Sequence, residues 1–455
     1  MQSALPPANE DVSGKLIQTR MLDVRIDCSE VFPSNDVGDY EISRLQELKD
    51  ELNTTKKKMD EYYIDKEMFS KFNAVNNVLR LTKQLRWFVD SKMNGQLVTR
   101  AWLKFYELFY YYKLIPEDNP EVSAFMNAEL PGAAICALNH MMKTLYKNKK
   151  FDWCASSIVF GKDDKERLNG LGDHYGIWKK NRTQWLMSVV SGNTNVSSRA
   201  KPGSAMYIQN GDATVVDNLL DIEMRIGESV DLYTHDAGID VGTPEEGSKD
   251  LTGFHQQEMR NAKIHFGCAI AGFLTLKKGG NFVAKQYTFF EGFTLTLLFV
   301  YASMFEEFYL SKPMTSGQAN SEIYLVGKGF KGFKHRDILL KRLENFNTKP
   351  FLTVEEMNNL KAGERDVGVA NARAASAVAA RSALDKVVEF TEELNKQQIE
   401  YIEEVFKFYK SYGTKIGEIK RIISPALKKM TEQWVEKHEI KKIDKTEWLD
   451  ATKSF

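Results

Sequence analysis

From about Gln96 to Asn345 the chain alternates short apolar runs with longer runs whose apolar residues recur at helical spacing. Phe151–Val159, Ala205–Gln209, Val230–Thr234, Asn281–Ala284, Glu307–Leu310 and Glu322–Val326 read as strands. Phe254–Leu276 and Glu291–Met304 read as helices between them. This alternation predicts an α/β fold, a parallel sheet covered by helices on both faces. Two polar stretches, Ser191–Ser204 and Ala237–Gly253, read as long loops. Long loops beside the carboxyl edge of such a sheet are where ligands dock.

The flanks follow a different pattern. After a loose start, Tyr40–Ser91 is rich in Leu, Lys, Glu and Met and reads as helical, with Gly95 as a stop. From Phe346 onward the chain reads as almost wholly helical, with Ile399, Ile402, Val405, Phe406 and Tyr409 at helical spacing. Ala372–Ala383 is strongly helix-forming. Ser424-Pro425 predicts a helix start, with serine as the cap and proline in the first turn. The expected division is therefore 1–95 helical, 96–345 α/β and 346–455 helical. No internal repeat is visible.

A chain of 455 residues can bury a sizeable core and hold more than one domain. Its 62 Lys and Arg balance its 62 Asp and Glu, so any nucleic-acid surface has to be a local patch. Cys28, Cys136, Cys154 and Cys268 form no C-x-x-C pair, which argues against a zinc site and a disulfide framework and suits a reducing compartment. The N-terminus does not read as a signal peptide. The longest apolar stretch, Gly292–Phe305, is too short to span a bilayer and reads as a buried helix. The expectation is a soluble intracellular protein with no membrane partner.

Four polar residues sit in distinctive settings: Lys104 in Thr-Arg-Ala-Trp-Leu-Lys-Phe-Tyr, Asp236 in Asp-Leu-Tyr-Thr-His-Asp-Ala-Gly, Lys285 in Asn-Phe-Val-Ala-Lys-Gln-Tyr, and Glu322 in Asn-Ser-Glu-Ile-Tyr-Leu-Val. Taken singly, each has a plain reading: a snorkelling lysine in an aromatic helix, a turn-forming aspartate, a solvated strand end, a surface acid. Taken together, with Leu130-Pro-Gly, Asp152-Trp-Cys-Ala-Ser-Ser, Asp173-His-Tyr-Gly, Asn210-Gly-Asp-Ala-Thr and Ser311-Lys-Pro-Met-Thr-Ser, the span from about Val98 to Lys328 resembles the FtsJ-like RNA ribose 2′-O-methyltransferases. The resemblance is strongest to those of large cytoplasmic DNA viruses of the asfarvirus kind.

That resemblance implies a Rossmann-like sheet, S-adenosylmethionine as methyl donor and RNA as substrate. The wider group includes cap-specific mRNA 2′-O-methyltransferases, so the implied substrate is the first transcribed nucleotide beside a viral mRNA cap. Lys285 takes the role of general base, Asp236 and Lys104 hold it and the ribose in place, and Glu322 completes the network. A lysine, with an ordinary pKa of about 10.4, accepts a proton only when neutral. A neighbouring cation and partial burial are expected to lower it, partly opposed by the two carboxylates. Asn127–Asn139 looks like the first strand, turn and helix, with Pro131 and Gly132 bringing backbone to the cofactor at a helix N-terminus. Here the chain has Pro-Gly-Ala where the family has Pro-Gly-Gly, and Glu129-Leu130 ahead of it. Asp212 is the candidate for the adenine, its plainer reading being an Asx turn before a helix, and Asp173 is the candidate for the cofactor ribose. His235 reads as structural.

For RNA, Lys328, Lys331, Lys334 and Arg336, with Lys341 and Arg342, form a basic cluster interleaved with Phe330 and Phe333, which could stack bases. The plainer reading is a solvated loop leading into a helix. Tyr287, Phe289 and Phe290 could stack the target nucleotide or fill the core. The helical ends are candidate docking surfaces for other capping or transcription proteins. The host cytoplasm or viral factory is the expected location, with packaging in the virion a further option. Two alternatives stay open: a fold retained as an RNA-binding or assembly module without turnover, and a methyltransferase acting on ribosomal or transfer RNA.

Overall fold

The computed structural model describes residues 20–34, 37–64, 66–159, 165–166, 169, 172–173, 175–186, 211–239, 241, 256–360, 382–413 and 415–449. The expected loop 191–204, the expected strand 205–209, most of the loop 237–253 and residues 372–381 of the Ala-rich run lie outside them.

In chain order the elements are β1 (Leu22–Arg25), α1 (Ser43–Ile64), α2 (Lys66–Leu79), α3 (Leu81–Met93), α4 (Arg100–Tyr111), β2 (Glu121–Asn127), α5 (Ala133–Leu145), β3 (Lys150–Ala155), a short α6 (Ile177–Lys180), α7 (Val216–Ile226), β4 (Val230–His235), α8 (Gln257–Thr275), β5 (Leu276–Gln286), α9 (Gly292–Ser303), β6 (Phe305–Lys312), β7 (Ile323–Phe330), α10 (Arg336–Glu344), a short α11 (Val354–Asn358), α12 (Ala383–Tyr412) and α13 (Ile416–Lys437). The strands form one sheet in the order β1-β6-β7-β5-β4-β2-β3. β3, β2, β4 and β5 run parallel; β7, β6 and β1 are each antiparallel to their neighbour. The alternation predicts a parallel sheet; the sheet is mixed, its parallel half joined to three antiparallel strands, and it fits the Rossmann-like sheet that the resemblance implies.

Strand alternation divides the core between the two faces. Phe125, Tyr233, Phe282, Ala284 and Leu325 pack with Phe266, Ala269 and Phe273 of α8 and with α9. Ala124, Met126, Leu232, Val283, Tyr324 and Val326 pack with Trp102, Phe105 and Phe109 of α4 and Ile135, Leu138 and Met142 of α5. Each fully buried side chain of this size contributes about 1.5–3 kcal/mol.

The flanking helices close against each other and against the sheet. α12 packs along α1, and α13 packs on α2 and α3. β1, which the sequence pattern leaves inside a loose start, pairs with β6 as an edge strand, Val24 opposite Leu310. α3 stops at Asn94, whose left-handed φ of 55° turns the chain one residue before Gly95. The expected helix start at Ser424-Pro425 is not one: Pro425 lies inside α13. Ile419, Ile423, Leu427, Thr431 and Trp434 are buried at three- or four-residue spacing on both sides of it. That continuous stripe carries the helix past the proline, and the Ser424 hydroxyl donates back to the Lys420 carbonyl at 2.5 Å instead of capping.

Candidate active site

The period of two along the strands brings the four polar residues to one place. Leu232, Thr234 and Asp236 on β4 and just beyond it, Val283 and Lys285 on β5, and Glu322 and Tyr324 at the start of β7 share the face that α4 covers. The register holds them level: His235 lies opposite Ala284, and Lys285 opposite Tyr324. Because β7 is antiparallel to β5, its amino end meets their carboxyl ends at one rim. α4 supplies the fourth residue. Thr99 caps it by accepting the Trp102 N–H at 3.2 Å. The helix buries residues 102–109, Lys104 among them at 6% exposure.

Lys104 Nζ donates to Glu322 Oε1 at 2.8 Å and lies 3.7 Å from Asp236 Oδ2. Lys285 Nζ stands 3.6 Å from Asp236 Oδ1 and 3.6 Å from Glu322 Oε2. Each lysine thus faces both carboxylates, Lys104 closely and Lys285 more loosely. For Glu322, burial favours the neutral acid, but Lys104, Lys285 and Lys312 together hold it well below the usual carboxylate range. Burial pushes Lys285 down, as expected from its setting. Asp236, Glu322 and Tyr287 more than reverse this, so its pKa is raised above the ordinary lysine value. The expectation of a lowered Lys285 is therefore not met. The carboxylates outweigh burial and the neighbouring cation, and the ammonium is charged.

Further residues complete the network. Tyr324 donates its hydroxyl to Asp236 Oδ1 at 2.9 Å, and Lys104 sits 5.2 Å over the Tyr324 ring. Ser316 Oγ donates to Glu322 Oε1 at 2.9 Å. Lys312 Nζ donates to the carbonyls of Asn320 and Glu322, each at 2.8 Å, and to Asn320 Oδ1 at 2.6 Å. Burial, with Lys104 and Lys56 adding to it and Glu322 opposing, lowers Lys312 to about 7. A Cβ at Gly238 would meet Lys285 Nζ at 2.9 Å, so a side chain there would push the lysine tip aside. Tyr324 was legible in principle, two residues from Glu322 on the same strand face. Ser316 and Lys312 stand in the Ser-Lys-Pro-Met-Thr-Ser string, but only the folded loop shows what they hold. Tyr287, Phe289 and Phe290 are buried, and Tyr287 stacks on His265. Burial, with His265 and Lys285 adding to it, pushes His235 well below the ordinary histidine range, leaving a neutral ring.

The cofactor candidates flank the point where strand order reverses. β2 lies between β3 and β4, with Asn127 opposite His235. In such sheets the crevice outside that point takes the ligand. Pro131 and Gly132 lead from β2 into α5, with Gly132 left-handed at φ 111°. The α5 terminus is not open backbone: buried Glu129 accepts the N–H groups of Ala134 and Ile135 at 2.8 and 3.0 Å. Burial raises its carboxyl to about 8, the two N–H groups lowering it and Asp236 raising it further. Gly211 abuts the end of β3 so closely that a Cβ there would sit 1.8 Å from the Ser157 carbonyl oxygen. In the same turn Asp212 Oδ1 accepts from the Thr214 N–H at 2.9 Å and hydroxyl at 2.8 Å, an Asx turn. Asp173 caps α6, accepting from Trp178 and Lys179 N–H at 3.1 and 3.0 Å.

Among the described residues, Ser156 Oγ is buried without a hydrogen-bond partner just past the carboxyl end of β3. Buried polar atoms need partners. An unpaired hydroxyl beside acids at a strand-order reversal fits a cationic nucleoside such as S-adenosylmethionine.

The basic cluster is not brought to this rim. Lys328 lies near the far end of β7, opposite to Glu322, and Lys331, Lys334 and Arg336 follow it. Lys328 lies 3.6 Å from Glu307, and Lys334 donates to Glu30 at 2.8 Å. Arg336 pairs through two nitrogens with Glu223. Burial lowers Lys331, with Lys334 adding to it. Arg342 and Phe330 are buried, and Phe333 packs against the core. Phe330 is thus spent on packing, and Phe333 is half-buried against the core.

A family profile described as FtsJ-like methyltransferase matches residues 179–330. The chain is 32% identical over 411 residues to the probable methyltransferase EP424R of African swine fever virus, covering 89% of this chain and 85% of that one. It is 25% identical over 323 residues to cap-specific mRNA (nucleoside-2′-O-)-methyltransferase 2 of Drosophila melanogaster, covering 68% of this chain and 40% of that protein. Its identity to the protein of the same name from Danio rerio is 29% over 320 residues, covering 67% and 37%.

Proposed function

We propose that this chain, which belongs to the FtsJ-like methyltransferase family, methylates a ribose 2′-hydroxyl of RNA at the capped 5′ end of mRNA. The observation that carries this reading is the buried convergence of Lys104, Asp236, Lys285 and Glu322 beside the strand-order crevice. Two lysines and two acids around one point can bind, orient and deprotonate a single hydroxyl. The cap as target comes from the named activity of the insect and fish relatives.

S-adenosylmethionine, the methyl donor of this family, supplies when bound a methyl group on a sulfonium, which departs as a neutral thioether. Asn127, Glu129, Ser156, Asp212 and Asp236, with the backbone at Pro131 and Gly132, are the residues that would hold it. Lys285 would accept at Nζ the proton that the ribose 2′-hydroxyl gives up on methylation. Asp236, fixed by Tyr324, and Glu322, fixed by Lys104 and Ser316, aim the Lys285 ammonium. These carboxylates hold Lys285 in its protonated form. A cation arriving beside them opposes that proton, so the base forms in the complex and is not preformed. The helical ends are the proposed contact surfaces for other capping proteins, and the cytoplasm is the proposed place of action.

The test is incubation with capped RNA and methyl-labelled donor. Label recovered on the 2′-oxygen of the first nucleotide, dependent on the cap and lost in Lys285→Ala, is the expected result. No transfer, or transfer indifferent to Lys285, overturns the reading. Cap-independent transfer redirects it to ribosomal or transfer RNA.

A further inference from the structure

The loop between β6 and β7, residues 313–322, ends on Glu322 and is held by residues from several distant parts of the chain. Lys312 anchors it from within, spending its ammonium on Asn320 and Glu322 backbone and on the Asn320 side chain. Glu107, one helical turn after Lys104, accepts from Met314 and Thr315 N–H at 2.8 and 3.0 Å. The remaining ties come from the flanking helices, and both reach Ser321, the residue before Glu322. Lys56 of α1 donates to Ser321 Oγ at 2.8 Å. Gln398 of α12 donates to the Ala319 carbonyl at 2.6 Å and lies 3.4 Å from Ser321 Oγ. α1 and α12 are themselves joined there, Asn395 Nδ2 donating to the Leu48 carbonyl at 2.8 Å. Ser321 and Gln398 are buried, which leaves this polar chain few competing partners in water.

We infer that Lys56 and Gln398 are positioning residues for the methyl transfer: the two helical flanks clamp Ser321 and thereby fix the Glu322 carboxylate against Lys104 and Lys285. This rests on the reading of Glu322 as part of the catalytic centre. It makes the N- and C-terminal helices working parts of that centre in addition to their role as surfaces. Glu322 Oε2 stands at 3.6 Å from Lys285, a distance that a small loop shift lengthens or closes. An ångström of displacement can cost about a hundredfold in rate. Neither Lys56 nor Gln398 is among the residues placed to hold the cofactor, so the clamp acts on turnover and not on donor binding.

The test uses Lys56→Met, which keeps the aliphatic stem and removes the donor, Gln398→Leu, their combination, and Lys56→Arg, which keeps a donor. The expected result is a fall in kcat of about ten- to a hundredfold for each single removal. The KM for capped RNA and the calorimetric Kd for S-adenosylmethionine are expected to stay within about twofold. The double variant loses about as much as the worse single one, because both act on one loop, and Lys56→Arg recovers most of kcat. A second readout needs no activity: amide hydrogen exchange across residues 314–322 accelerates in Lys56→Met while residues 122–127 of β2 keep their protection. Unchanged exchange in the loop, or a raised KM with kcat intact, overturns the inference; in the latter case Lys56 is an RNA contact. If the unmodified chain transfers no methyl group, the proposed function fails, and the exchange measurement alone decides the clamp.

Discussion

Two polar networks in this molecule are built from nearly the same parts. At one end of β7, Lys104 and Lys285 face Asp236, Glu322 and Tyr324. On the outer part of the sheet, Arg25 and Lys328 face Asp27, Glu307 and Tyr309. Arg25 lies 2.6 Å from Asp27 and 3.0 Å from Glu307, Lys328 lies 3.6 Å from Glu307, and the Tyr309 hydroxyl donates to Glu307 at 3.2 Å. Distances do not separate the two; exposure does. The outer side chains keep about a third of their surface, 29–35%, whereas the inner charged ones keep 7–18%. Water screens the outer pairs to a small net effect. The inner charges have given up most of their water and depend on one another. Composition and pairing look alike on paper, and burial decides which network can shift a proton.

The widest gap between the two is expected in turnover. Lys285→Ala lowers kcat by at least about 10²–10⁴-fold, the range for loss of a general base. Lys328→Ala, although it removes a lysine from the same sheet, changes kcat by less than about twofold if the outer network takes no part. Steady-state kinetics on capped RNA measures both. Equal losses would show that the outer rim belongs to the site after all.

Stability gives the next contrast. Glu322→Gln leaves two buried ammonium groups with Asp236 as their remaining acid in the tetrad and is expected to cost about 3–5 kcal/mol. Glu307→Gln is expected to cost within about 1 kcal/mol. Urea unfolding compares them. The sign with pH follows from linkage. Glu322 is held below the carboxyl value of about 4.3, so its contribution is complete above that value and is lost as pH falls below it. The gap between wild type and Glu322→Gln should therefore narrow in acid.

The pH–rate profile separates the charge states of Lys285. In the free enzyme its pKa is raised, so the neutral, proton-accepting form is scarce and kcat/KM should rise about tenfold per pH unit from about pH 6 to pH 9. In the complex the opposing cation lowers the pKa, and kcat should level off earlier. Flat profiles for both would mean that Lys285 works as a charged clamp and not as a base.

Much of this was legible in the sequence because the relevant signals are local. The period of two in Val-Ala-Lys285 and Glu322-Ile-Tyr324 places side chains on one sheet face, and the α/β alternation gives the rim. What escaped depends on contacts between distant segments. Pro425 reads as a helix start until the buried stripe from Ile419 to Trp434 is seen to run through it. The Lys328–Arg336 cluster reads as an RNA surface or a solvated loop, and neither reading foresees Glu307, Glu30 and Glu223 beside Lys328, Lys334 and Arg336. Glu129 reads as a departure ahead of the Pro-Gly turn until it is seen capping α5. Lys285 reads as a base to be tuned downward, yet its own carboxylates tune it upward. Spacing along a chain carries no information about such partners.

Tyr324 supplies the finest comparison. Its hydroxyl and that of Tyr309 both donate to a carboxylate of their own network, at 2.9 Å to Asp236 and 3.2 Å to Glu307. Phenylalanine at 324 removes that one bond while keeping the ring under Lys104, so packing and the cation–π contact remain. A single hydrogen bond of this kind is worth about 0.5–1.5 kcal/mol, which sets the expected fall in kcat for Tyr324→Phe at about two- to tenfold, with KM unchanged. Tyr309→Phe should leave kcat where it was. If Tyr324→Phe behaves like Tyr309→Phe, Asp236 does not need its tyrosine to hold Lys285, and burial alone accounts for the difference between the networks. If kcat falls as expected, a fixed geometry around Asp236 is part of that difference as well.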